Sequence, residues 1–169
     1  MSNAIDETLV DQVVLALDKR LDAERFGPIY KRGGLRNFTQ PEKTVLLACW
    51  AMGIIQNGGF QFFYEGATNV DEVADAYECF GYHEAAEACR KSSSIFPNRV
   101  PPEEAHQRLQ VLSSYQGHSN EFLRPLNEAV WKAGDADFEG AVASYIRLHT
   151  SEFKDVLQAP EENQYPKPT

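Results

Sequence analysis

Thr39-Gln40-Pro41-Glu42-Lys43-Thr44-Val45-Leu46-Leu47-Ala48-Cys49-Trp50-Ala51-Met52-Gly53-Ile54-Ile55-Gln56-Asn57-Gly58-Gly59 is the stretch that decides the fold. It opens as a capping box: Thr39 caps the first turn, and Glu42 returns its carboxylate to the cap's own N–H. Between Thr44 and Gln56 there is no charged side chain. A helix apolar nearly all round must be covered on every side, so this one is expected at the centre, with Trp50 in the core. Asn57-Gly58-Gly59 predicts its end, because glycine reaches the left-handed backbone that closes a helix. The run Phe60, Phe62, Phe63 and Tyr64 then predicts a short helix plugged into the core.

Helical spacing continues in both directions. Upstream, Leu9, Val10, Val13, Val14, Leu17 and Leu21 form one stripe that stops near Phe26-Gly27-Pro28, before a loop with Lys31, Arg32, Gly33, Gly34 and Arg36. Downstream, Asn69 caps a helix to Phe80 with Gly81 as its stop. Tyr82 to Phe96, closed by Pro97, reads as another helix. A further one starts at Pro101-Pro102 and runs to about Gln116. Glu121 to Ala133 and Asp137 to Thr150 complete the set, with Gly134-Asp135 between them. No long alternating pattern and no internal repeat occurs. The expectation is an all-α, single compact multi-helix domain of about seven helices over residues 1–158. Residues 159–169 are expected to be a disordered tail, rich in proline.

The 169 residues are 43% hydrophobic and 11% aromatic, enough for a sizeable core. Twenty-five acids against 16 bases leave a net charge of −9, which argues against direct nucleic-acid binding and against docking on an anionic membrane. The most apolar run, Thr44 to Ile55, is shorter than the ~20 residues a bilayer requires. Asp6 and Glu7 stand where a signal peptide would carry bases. Cys49, Cys79 and Cys89 are odd in number and lack CxxC spacing, so buried, reduced thiols in a cytoplasmic protein are expected.

Charge placement says more than the total. From Thr44 to Cys89 there is no Lys or Arg, while Glu65, Asp71, Glu72, Asp75, Glu78, Glu84 and Glu87 all fall there. Asp71, Asp75 and Glu78 share one helix face, opposite Val70, Val73, Tyr77 and Phe80. Glu7, Asp11, Asp18 and Asp22 line up on the first helix, within about 60° at about 100° per residue. Most acidic helix faces are only solvated surface. Here like charges one turn apart, Asp71–Asp75 and Glu7–Asp11, repel without a cation nearby in sequence. Such rows approach the spacing of backbone phosphates and could engage phosphate-binding Lys and Arg of a partner.

Motifs for catalysis are thin. Glu103-x-x-His106 is a single copy of a spacing that helical di-iron sites use twice. Gly81 interrupts the register between Cys79 and His83. His149 continues the Phe138, Val142, Tyr145 stripe as a core or edge residue. There is no nucleophile elbow and no phosphate loop. The residues point to a protein that is not an enzyme and takes no cofactor or metal.

Gln56-Asn57-Gly58-Gly59-Phe60-Gln61-Phe62-Phe63 resembles the signature of a family of small all-helical bacterial proteins that includes an acidic DNA mimic. Ala74, Ala76, Tyr77, Phe80 and Gly81 are similar too. So are Ala85-Ala86-Glu87-Ala88 closing at Phe96-Pro97, and Tyr145-Ile146-Arg147-Leu148-His149 before Phe153. The likeness runs from about Thr39 to Phe153. It implies a homodimer that occupies the DNA-binding surface of a helix-turn-helix repressor. The signature itself looks structural, so mimicry would rest on the acidic faces, with Glu7, Asp11, Asp18, Asp22, Glu65, Asp71, Glu72, Asp75 and Glu78 as partner-binding candidates. Seven bases between Lys19 and Lys43 must lie away from that surface or in a dimer contact. The residues also leave open a small-ligand or enzymatic pocket near the Asn-Gly-Gly-Phe turn, or an immunity-type module that binds a partner without mimicry.

Overall fold

The computed structural model describes residues 4–21, 27–114 and 119–157. Asp22 and the expected tail at 159–169 lie outside them. Among the described residues the protein is all-α: α1 (Ala4–Lys19), α2 (Gly27–Tyr30), α3 (Gln40–Gly66), α4 (Val70–Cys79), α5 (His83–Ser92), α6 (Ala105–Ser114), α7 (Ser119–Asp135), α8 (Phe138–Leu148) and α9 (Lys154–Leu157), with 3-10 turns at Ser93–Ile95 and Pro97–Arg99. Seven of these helices have ten residues or more, as the periodicity implied.

α3 is the spine, and α1, α4, α6 and α7 pack along it. Its start is the capping box: the Thr39 N–H donates to the Glu42 carboxylate at 2.9 Å. Glu42 is only 2% exposed and also pairs with Arg20, just past α1, whose guanidinium lies 5.0 Å over the Phe38 ring. One carboxylate thereby starts α3 and ties the end of α1 to it.

The expected stop at Gly58-Gly59 is a kink instead. Gly59 leaves helical geometry (φ 67°, ψ −169°), yet the chain re-enters helix at once and continues to Gly66. The break turns the Phe60 N–H away from ordinary i→i−4 bonding. α7 bonds the backbone on both sides of it: Asn127 Oδ1 accepts from the Phe60 N–H at 2.8 Å, and the Trp131 indole N–H donates to the Ile55 carbonyl at 2.9 Å. A Cβ on Gly59 would lie 2.5 Å from Asn127 Nδ2, so glycine is required there twice over. Phe60, Phe63 and Tyr64 fill the core as expected, but Phe62 points outward and is 46% exposed. At the far end of α3 the buried Arg108 donates to the Tyr64 and Glu65 carbonyls (2.7 and 3.2 Å) and to those of Pro102 and Glu103. A cation at a helix C-terminus complements the dipole and uses carbonyls that have no intrahelical partner.

Several expectations need correction. At 27 residues α3 is long and apolar enough to cross a membrane by length and composition alone, because the kink does not end it; half of its most apolar window is buried inside the protein, as in a core helix. Trp50 is half-buried, packed edge-on to Tyr30 and tilted against Phe63. Asn69 stands at the N-cap of α4 but donates its amide to the Ile29 carbonyl at 2.8 Å instead of capping. α5 ends at Ser92 and gives way to the two 3-10 turns before Pro101. α6 begins at Ala105, and Pro101 and Pro102 precede it outside any helix. α7 runs through Gly134-Asp135, and the turn falls at Ala136-Asp137. The cysteines are free, but only Cys89 is fully buried; Cys49 is half-buried and Cys79 exposed. Burial, with Glu139 and Asp11 nearby, pushes the Cys49 thiol up to about 12.

Candidate acidic interface

The α4 row forms as the spacing predicted. Val70, Val73, Ala74, Ala76 and Tyr77 are buried, which turns Asp71, Asp75 and Glu78 to solvent. The cations missing from its sequence neighbourhood arrive through the fold. Gly81 (φ 80°) closes α4 and reverses the chain, and α5 returns beside it with Arg90. Arg90 donates to Asp75 at 3.0 Å and to Glu78 at 3.2 Å, and His83 Nδ1 lies 2.5 Å from Glu78. Hydrogen bonds from His83 and then Arg90 hold the Glu78 carboxyl below its ordinary range, and Asp75 and Glu78 raise Arg90 in turn. Arg32 sits 3.6 Å from Asp71, and Glu72 accepts the Gly33 N–H at 2.5 Å. The row is cation-free in sequence and largely compensated in space. On α5, Glu84 and Glu87 are bridged as well, by Lys132 and Lys91.

The α1 row differs. Val10, Val13 and Leu17 are buried, and Glu7 and Asp11 stand exposed one turn apart with no cation bridging either among the described residues. Asp18, two turns further on, is half-buried. Glu65, near the end of α3, is exposed and likewise unbridged among the described residues. The nearby Asp6 is taken by Arg147 of α8 at 2.5 Å.

The two rows do not merge into one strip. Leu46, Cys49 and Trp50 of α3 face the cleft beside α1, while Lys43, Thr44 and Leu47 face the hollow beside Glu72 and Asp75. At about 100° per residue these faces lie about 110° apart around α3. Lys43, half-buried, stands between them. At the Asn-Gly-Gly-Phe kink Phe60 is fully buried and the Asn127 side chain lies against Gly59. That signature is a packing device. Among the described residues no three His, Cys, Asp or Glu side chains converge as a metal site would require. His106 is exposed, and His149 lies at the core edge with its ring 4.4 Å from Tyr145.

Sequence reasoning missed Arg90, Arg108, Asn127 and Trp131. The pair on α7 left one faint signal, since Asn127 and Trp131 are i, i+4 neighbours that share a helix face.

The fold and surface define a small all-helical protein with concentrated carboxylates on two helix faces and a structurally constrained kink in its central helix. The chain belongs to the DMP19-like protein family, whose model matches residues 36–149. Glu65 and the α4 row lie inside that match, and the α1 row precedes it. No curated protein and no solved structure matches the chain.

Proposed function

We propose that the protein is a non-enzymatic DNA mimic. It binds a basic DNA-binding protein, of the helix-turn-helix repressor class, in the cytoplasm and displaces DNA from it. Family membership and a net charge of −9 support the class of activity. The observation that carries the choice of surface is that Glu7 and Asp11 are exposed and, among the described residues, unbridged, whereas Arg90 and Arg32 already occupy the α4 row.

An unbridged carboxylate offers its full charge to an incoming Lys or Arg. A bridged one must first release its own cation, so the exchange gains little. In this reading α1 makes the principal contact, and Asp71, Asp75 and Glu78 assist at one side. Glu7 and Asp11 are separated by about 6 Å along the axis at about 1.5 Å per residue, within reach of two neighbouring phosphate-binding side chains. A homodimer would present two such faces to a two-fold repressor, whose half-sites are related by the same symmetry.

The test is recovery of a DNA-binding partner from the native host with the intact protein as bait, followed by competition against operator DNA. Mimicry requires that the protein and DNA exclude one another, and that affinity fall steeply with salt as counterions are exchanged. A partner that binds DNA and this protein together would defeat the reading.

A further inference from the structure

Between α3, α4 and the turn at Gly33 the chain encloses a hollow of about 240 Å³. That is below the size of a drug-sized site; at roughly 30 Å³ per water it has room for about eight. Part of its wall is apolar, since Leu35, Leu47 and Ala76 are all buried there. Its charged lining is Lys43 from α3 and Glu72 and Asp75 from α4. Every lining residue is described, and none is next in sequence to an undescribed segment.

The three charges are committed differently. Asp75 is exposed and already bridged by Arg90 at 3.0 Å. Glu72 is half-buried; one of its oxygens accepts the Gly33 N–H at 2.5 Å, and no cation bridges it among the described residues. Lys43 is half-buried too and has no carboxylate partner among them. The hollow thus holds one uncommitted charge of each sign, on different helices, and the two do not bridge each other. An anion entering it gains Lys43 but is repelled by Glu72 and Asp75. A cation gains the carboxylates but is repelled by Lys43. A molecule that carries both charges at the ends of an apolar stem gains attraction at both walls and burial in between.

We propose that this hollow binds a small zwitterion of the ω-amino acid class. Its carboxylate sits at Lys43, its ammonium at Glu72, and its short methylene stem lies against Leu35, Leu47 and Ala76. An α-amino acid fits less well, because charges on neighbouring atoms leave one wall without a partner. The site does not depend on the DNA-mimic reading.

The probes are 5-aminopentanoate, its isomer 2-aminopentanoate, pentanoate and pentylammonium. Each is titrated into the full chain and followed by amide chemical shifts. 5-Aminopentanoate should give saturable shifts at Gly33, Lys43, Glu72 and Ala76, with affinity about fivefold above each of the others, as one further weak charge contact implies. Lys43→Met should weaken 5-aminopentanoate about threefold and tighten pentylammonium, whose repulsion it removes. Glu72→Gln keeps an oxygen for the Gly33 N–H; it should weaken 5-aminopentanoate by about the same factor and tighten pentanoate. A mere change of packing would weaken every probe together. Circular dichroism checks folding, and should one variant not fold, the other decides. Absence of saturable binding, shifts centred elsewhere, equal affinity for 2-aminopentanoate, or singly charged probes that fail to tighten in the folded variants would each overturn the proposal.

Discussion

Two acidic rows of similar appearance behave as opposites. On α4, Asp71, Asp75 and Glu78 are exposed but held by Arg32, Arg90 and His83. On α1, Glu7 and Asp11 are exposed and unbridged among the described residues. Density of carboxylate along a sequence therefore does not measure the field a partner meets. What matters is which cations the tertiary fold returns to the row, and the α4–α5 reversal at Gly81 returns Arg90 to one row and not the other.

The largest expected effect strikes the scaffold common to both rows. Gly59→Ala forces a side chain into a backbone region that only glycine occupies comfortably and into the space of Asn127. It should cost roughly 3 kcal/mol and lower the melting temperature by about 6–12 °C; scanning calorimetry reads it. A stability loss near zero would mean that the kink is not held as described.

Next comes the α1 row. The double reversal Glu7→Lys with Asp11→Lys should weaken binding to the partner about tenfold or more at low salt, because two favourable charge contacts become repulsive. Helix content by circular dichroism should be unchanged, since neither side chain is buried. Reversal of Asp71, Asp75 and Glu78 should cost less, about threefold, because their charge is already compensated.

A smaller change should work in the opposite direction. Arg90→Ala strips the bridge from Asp75 and Glu78 and exposes the α4 row. Competition for the partner should improve about twofold at low salt and the gain should vanish at high salt, where exposed charges are screened. The smallest effect is a titration. Hydrogen bonds from His83 and Arg90 lower the Glu78 carboxyl in the folded protein. A depressed folded value stabilises the fold above the unfolded value, and that contribution disappears as pH falls through the folded one. In Arg90→Ala the Glu78 midpoint, followed by side-chain NMR, should move up toward the ordinary glutamate range. An unmoved midpoint would show that Arg90 does not govern the row's charge.

What could be read from the sequence was local. The capping box at Thr39 and Glu42 involves neighbours three residues apart, and the stripes of α1, α4 and α8 declare their buried faces by spacing alone. Gly59 signalled a break, but not that the helix would resume, because the side chains that hydrogen-bond the backbone around it are 67 and 76 residues away on α7. Arg90 illustrates the same limit: it lies 12 residues from Glu78 and 15 from Asp75, outside any helical window. Pro101-Pro102 misplaced the start of α6, since proline tolerates the first turn of a helix without requiring one. The acidic residues were legible one by one; their state of compensation was not.

The most direct test of the account is a competition between this protein and operator DNA for the recovered repressor, at two ionic strengths, with the α1 double reversal and the α4 triple reversal run beside the parent. The account requires that the parent displace DNA, that its advantage shrink as salt rises, and that the α1 reversal lose about threefold more than the α4 reversal or worse. If the α4 reversal instead proves the more damaging, or both variants compete as the parent does, then Glu7 and Asp11 on α1 are not the surface that stands in for DNA.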